Sequence, residues 1–283
     1  MKLCRFGQPG RERPGIIDSM GRVRDLSVHI PDLQPELLSD EALARIATVD
    51  VDILPLVTGP VRYAPPVAHI GKYLAIGLNY RDHALEANLP IPTEPVIFTK
   101  AVNCINGAND AIVQPPHSTK LDWELELGVI IGKRASHVDE ASALEHVAGY
   151  CVANDVSDRG FQFQSSQWDK GKGCDTFGPI GPWLVTRDEV PDPQNLGMWM
   201  ELNGERRQQG NTRTMIFGVA QIVAYCSRYM TLFPGDVICT GTPPGVGMAA
   251  KPEPRFLKPG DELHLCIAGL GEQRQCVVPF PAG

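Results

Sequence analysis

Short apolar runs recur along the chain, some alternating with polar residues, and glycine and proline turns punctuate the stretches between them. Ile16 to Leu26 reads as a hairpin turning near Met20-Gly21. Ser39-Asp40 caps a short helix with Leu43, Ile46 and Ala47 on one face. Pro55, Gly59-Pro60 and Pro65-Pro66 then interrupt the pattern and set a domain boundary near residue 65. Tyr73 to Leu78 and Val96 to Lys100 read as strands. Between them Asn79 caps a helical piece, with Asp82 at its third position, which runs to about Asn88 and stops at Pro90. Asp139 caps a helix through Val147, and an apolar run follows to Ala153. Thr214 to Leu232 is the clearest helix, with Ile216, Val219, Ile222, Val223, Cys226 and Met230 as a core stripe. Two Pro-Gly-Asp turns launch strands over Val237 to Thr240 and Leu263 to Ile267. The pattern predicts a mainly β fold with some α.

One strand stands apart chemically. Leu121 to Ile131 is rich in aliphatic residues, and alternation puts Glu124 and Glu126 on one face with Leu125 and Leu127 on the other. Two adjacent carboxylates repel unless a cation lies between them or one holds a proton. A third, Asp155, ends the apolar run from Val147. A hard divalent cation such as Mg²⁺ takes oxygen ligands and suits such a set. A solvated strand face is the plainer alternative, but the apolar neighbours place this strand inside the fold, where unpaired carboxylates are rare.

Composition narrows the class. The chain has 283 residues, enough for a substantial core, and 28 Gly with 25 Pro fit a turn-rich β protein better than a helical bundle. A formal net charge of −7 with no basic cluster speaks against nucleic acid or an anionic membrane as partner. No apolar stretch approaches membrane-spanning length, and Met1 to Gly7 lacks the apolar core of a signal peptide. Eight scattered cysteines form no C-x-x-C pair and read as reduced core residues of a cytoplasmic protein.

Three other features bear on chemistry. His83 and Glu86 share a helical face, so the carboxylate can orient the imidazole as a base requires; a plain surface pair is the alternative. The segment from Ser157 to Pro179 is long, polar and glycine-rich, either a functional loop or a solvated one. Gly245 to Ala250 fits the G-x-G-x-x-G/A spacing, but Pro243-Pro244 before it and Pro252 and Pro254 after it forbid the helix a dinucleotide site needs.

The motifs in order resemble the fumarylacetoacetate hydrolase family. They are Ile76-Gly77-Leu78-Asn79-Tyr80-Arg81-Asp82-His83, Asp122-Trp123-Glu124-Leu125-Glu126-Leu127, Asn154-Asp155-Val156-Ser157-Asp158-Arg159, Lys172-Gly173-Cys174-Asp175-Thr176-Phe177-Gly178-Pro179 and Thr240-Gly241-Thr242-Pro243-Pro244-Gly245-Val246-Gly247. The resemblance covers roughly residues 66–280, and the N-terminal part resembles a bacterial branch labelled ureidoglycolate lyase, some of whose members handle 2,4-diketo sugar acids. It implies a rolled mixed β-sheet over residues 66–283, a small N-terminal α+β domain over 1–65, and a homodimer. It implies Mg²⁺ or Mn²⁺ on Glu124, Glu126 and Asp155, water activation by His83 with Glu86, and charge stabilisation by Lys172. Arg159 and Gln162 match substrate-binding positions, and Thr242 matches a residue that contacts the substrate carboxylate. Ile76 stands where larger members carry a fourth carboxylate, so the chain is similar to the smaller, three-carboxylate members. The implied reaction is metal-dependent hydrolysis of a carbon–carbon bond in a 2,4-diketo acid, giving pyruvate and a carboxylic acid. A ureidoglycolate lyase, or an isomerase or decarboxylase of a 2-oxo dioic acid, is the alternative. Asn103 and Cys104 are expected to shape the acyl pocket.

Overall fold

A computed structural model describes residues 1–86 and 88–281. Seven strands position the site: β1 (Lys2–Phe6), β2 (Tyr73–Gly77), β3 (Val96–Lys100), β4 (Leu125–Ile131), β5 (Val147–Asn154), β6 (Gly178–Thr186) and β7 (Val237–Cys239). They lie in the order β1-β6-β5-β4-β7-β2-β3, and the hairpin of Arg13–Ile17 and Val23–Asp25 extends the sheet beyond β1. The β7–β2 pair is parallel while β4 pairs antiparallel with both β5 and β7, so the sheet is mixed. Strand outweighs helix, 34% against 21%, which makes the chain mainly β as the pattern predicts.

Every residue of β4 and β5 is buried. A strand covered on both faces needs no polar side, which is why Leu127 to Ile131 and Val147 to Ala153 read as continuous apolar runs, with Glu126 the exception in β4. One cover is a second sheet formed by Gly197–Leu202, Glu205–Asn211, Glu262–Ile267, Gly271–Pro279 and Ile112–Gln114. Buried amides stitch the two together. Gln273 Nε2 donates to Val152 O at 2.9 Å, Asn154 Nδ2 donates to Gln275 Oε1 at 2.9 Å, and Leu125 N donates to Gln208 Oε1 at 2.9 Å. Satisfied polar groups at such depth fix one register between the sheets. The N-terminal residues join the same sheet through β1, where Leu3 sits opposite Leu184 of β6.

Several elements differ from the sequence pattern. The long helix spans Val219–Tyr229, shorter than Thr214 to Leu232, because Gly218 starts it after a separate turn at Thr212–Thr214. Its stripe is buried at Val219, Ile222, Val223 and Cys226. On the helix Asp40–Ala47, Ala42 and Ile46 are buried, whereas Ala47 faces solvent. After Asp139 an α-helix covers Glu140–Ala143, a 3₁₀ turn continues it over Leu144–His146, and Val147 leaves the helix by pairing with Ile131. Ser157 to Pro179 holds two one-turn helices, Arg159–Gln162 and Asp169–Lys172. Asn79 does not cap the helix Arg81–Glu86: its amide donates to Phe217 O and Thr240 O and accepts from Phe217 N.

Candidate metal and active site

The site forms where β4 begins, β5 ends and β7 leads into a tight turn. Antiparallel pairing sets Leu125 opposite Asn154, so Asp155 follows beside Glu124, and Asp155 N donates to Glu124 O at 2.9 Å. Glu124 lies just outside the regular strand, between Leu121–Asp122 and β4. Glu124, Glu126 and Asp155 are all buried, and each offers an oxygen within 4.8 Å of the other two. Gly241 closes the set by donating its N–H to Glu126 Oε2 at 2.7 Å. A side chain at that position meets two obstacles: φ is +94°, and a Cβ would stand 2.7 Å from Asn79 Cβ.

Three buried cations surround the carboxylates. Lys172 Nζ donates to Glu124 Oε2 at 2.8 Å and to Asp155 Oδ2 at 2.7 Å. Lys100 Nζ donates to Asp155 Oδ1 at 2.5 Å and to two main-chain carbonyls. Arg159 is shared between Asp122 Oδ2, 2.9 Å from its Nε, and Glu124 Oε1, 2.7 Å from its Nη1. Asp122, Glu124, Glu126 and Asp155 thus face three cations, which leaves one negative charge in excess. That excess falls on Glu126, whose carboxylate has a main-chain N–H but no cation against it among the described residues.

The titration behaviour follows this layout. Burial raises the Glu126 carboxyl, and the charges of Asp155 and Glu124 raise it further, well above the ordinary range. Burial also opposes ionisation of Glu124, but Lys172 and Arg159 outweigh it and hold that carboxyl below its usual value. For Lys100, burial disfavours the ammonium while the Asp155 carboxylate favours it more, and the net direction is upward. A buried three-carboxylate set with one under-neutralised member is a donor set for a hard divalent cation, which takes oxygen ligands and supplies the missing charge.

Beside the carboxylates opens a cavity of about 610 Å³ lined by His83, Glu86, Glu124, Glu126, Arg159, Gln162, Lys172 and Thr242, among others. All the predicted site residues except the deeper Asp155 therefore reach one space. His83 Nδ1 lies 3.1 Å from Glu86 Oε2, and Glu86 also accepts from Gly245 N at 3.1 Å. Gln162 Oε1 accepts from Arg159 Nη1 at 3.0 Å. The Thr242 hydroxyl donates to Leu125 O and accepts from Gln208 Nε2, both at 2.8 Å. Asn103 and Cys104 do not reach the cavity: Asn103 donates to Gly173 O and Asp175 Oδ1, and Cys104 is fully buried.

The profile of the fumarylacetoacetate (FAA) hydrolase C-terminal family matches residues 72–278. The chain belongs to the fumarylacetoacetate hydrolase family. A Burkholderia cenocepacia protein with a provisional hydrolase name is 62% identical over 276 residues, covering 97% of this chain and 98% of that one. The fumarylacetoacetate hydrolase of Exiguobacterium antarcticum superposes with a TM-score of 0.87 at 38% identity, over 99% of this chain and all of that one. A maleylpyruvate hydrolase from Sphingobium sp. SYK-6, in complex with manganese(II) ion and pyruvate, superposes with a TM-score of 0.83 at 29% identity over 99% of this chain and 100% of that one.

Lys100, Asp122 and Gln208 also build the site of this family member, and none of them is among the residues the sequence pattern singles out for it. Asp122 was detectable, because it shares strand parity with Glu124 and Glu126. It anchors the proline-flanked glycine turn: Gly247 N and Met248 N donate to its carboxylate at 2.6 and 3.0 Å. The N–H groups of the apparent dinucleotide fingerprint are thus taken by Asp122 and Glu86. Lys100 ends an ordinary strand, and Gln208 sits 83 residues from its partner Leu125, so neither carries a local signal.

Proposed function

We propose that the chain is a divalent-metal-dependent hydrolase that cleaves a carbon–carbon bond of a 2,4-diketo acid, releasing pyruvate and a carboxylic acid. The observation that carries this reading is the buried Glu124, Glu126 and Asp155 set opening on a cavity that the His83–Glu86 pair also lines. Mg²⁺ or Mn²⁺ held by the three carboxylates would supply Lewis acidity to the 2-oxo acid head.

The chain's own groups divide the rest of the work. With Nδ1 engaged by Glu86, Nε2 of His83 is the atom that takes a proton from the attacking water. The water oxygen joins the C4 carbonyl carbon, the C3–C4 bond breaks, and C3 takes a proton to give pyruvate. An ammonium has three protons, and Lys172 uses two on Glu124 and Asp155, so the third serves the negative charge that develops on substrate. Arg159 Nη2 makes no hydrogen bond among the described residues and is a donor for the substrate, as is the NH₂ of Gln162, whose oxygen is taken. Thr242 contacts the substrate carboxylate by exchanging its bond to Leu125 O. The same reading carries a cytoplasmic homodimer.

The absorbance of an enolised acylpyruvate tests the proposal. It should decay with protein and Mg²⁺ and persist with chelator. No decay on any acylpyruvate, with glyoxylate and urea released from ureidoglycolate instead, would replace hydrolysis by the lyase reaction.

A further inference from the structure

Away from the carboxylates the cavity walls turn apolar. Leu89, Val96, Phe163, Trp168 and Met248 line that outer half, and Phe98 joins it to the inner end, with its ring centroid 5.1 Å from Lys172 Nζ. Phe163 is 58% exposed, Leu89 51%, and Val96 and Met248 39% each. Large apolar side chains left open around a concave mouth are surfaces that an apolar ligand covers. The wall is built rather than incidental. The Trp168 ring lies so close to Gly77 that a Cβ there would come within 2.7 Å of it, and the ring stands edge-on to Phe98 with centroids 5.2 Å apart.

The charged groups are distributed the other way. Arg159, Lys172 and His83 are each engaged by carboxylates at the inner end. Lys251 is the one cation of the lining with no ion pair among the described residues, and it stands exposed at the rim. A carboxylate tail lying against these walls loses its hydration, and a solvated rim lysine returns little of that cost.

We infer that the outer half is an acyl subsite for an uncharged branched or aromatic tail. The substrates are then 2,4-diketo acids with an apolar acyl group, and a tail ending in a second carboxylate is disfavoured. The inference rests on the head-group reading proposed above.

Calorimetric titration of Mn²⁺-loaded protein with three stable 2-oxo acids tests it without turnover. Phenylpyruvate and 4-methyl-2-oxopentanoate should bind at least about tenfold more tightly than 2-oxoglutarate, since a tenfold gain needs only roughly 55 Å² of newly buried apolar surface. Phe163→Ala, at a position too exposed to endanger folding, should weaken phenylpyruvate by about tenfold and leave 2-oxoglutarate unchanged. Phe163→Leu should restore most of that loss, and Lys251→Met should change none of the three. Equal or tighter binding of 2-oxoglutarate, lost in Lys251→Met, overturns the subsite while leaving the hydrolase proposal standing. An equal loss for all three acids in Phe163→Ala also overturns it. Failure of all three to bind overturns the subsite together with the head-group reading.

Discussion

Asp122→Asn is the most informative structural perturbation, because one buried carboxylate holds two parts of the site. Asp122 is fully buried. Its Oδ1 accepts from Trp123 N at 2.9 Å and Gly247 N at 2.6 Å, and its Oδ2 accepts from Met248 N at 3.0 Å and Arg159 Nε at 2.9 Å. An asparagine has one acceptor oxygen, and either amide orientation turns an NH₂ group against two N–H donors. Each buried donor left unsatisfied costs about 1–3 kcal/mol, so the substitution should destabilise by about 2–6 kcal/mol. For a chain of this size that lowers the melting temperature by on the order of 5–15 °C. The assay is thermal unfolding with and without Mg²⁺, paired with metal titration. Metal binding should survive, since Glu124, Glu126 and Asp155 are intact. A shift under about 2 °C would refute the claim that Asp122 ties Arg159 and the Gly247 turn together.

Further outcomes follow from the same geometry. Asp155→Asn removes one oxygen ligand and should weaken Mg²⁺ or Mn²⁺ binding in calorimetry; unchanged affinity removes Asp155 from the ligand set. His83→Ala should lower turnover by roughly 10²–10⁴ with metal affinity unchanged, and adding Glu86→Gln should cost little more because the two act as a unit. Glu126 gives a pH dependence. Its carboxyl is raised in the metal-free fold by burial and by Asp155 and Glu124, so its contribution to stability is fully present at low pH and is lost as pH rises through the folded value. Metal needs the ionised form, so the gap in melting temperature between metal-loaded and chelated protein should widen from pH 5.5 to pH 8. A gap that shrinks contradicts the assignment.

The sequence made the framework legible where periodicity and burial agree. Continuous apolar runs announced β4 and β5, and the carboxylates placed at their adjacent ends were recognisable because an acidic residue inside such a run needs a partner. The cations that complete the cluster were harder to find. Lys100 reaches Asp155 across 55 residues of chain, a contact made by the sheet and not by any local pattern. Local sequence favours Asn79 as a helix cap, but a partner 138 residues away claims its amide. Apolar spacing alone runs the long helix back to Thr214, because it does not register that the turn Thr212–Thr214 ends before Gly218 starts the helix. Asn103 and Cys104 lie outside the cavity lining, whose apolar part comes from Leu89, Phe163, Trp168 and Met248, residues that only the folded chain brings together.

Hydrolysis of the carbon–carbon bond puts a solvent oxygen into one product only, so product analysis in ¹⁸O-labelled water separates it from isomerisation and decarboxylation. Mg²⁺- or Mn²⁺-loaded protein acting on an acylpyruvate with an apolar acyl group should give pyruvate and the carboxylic acid in equal amounts, with one solvent oxygen in the acid. An isomerised or decarboxylated product, or pyruvate formed without label in its partner, would rule out hydrolysis.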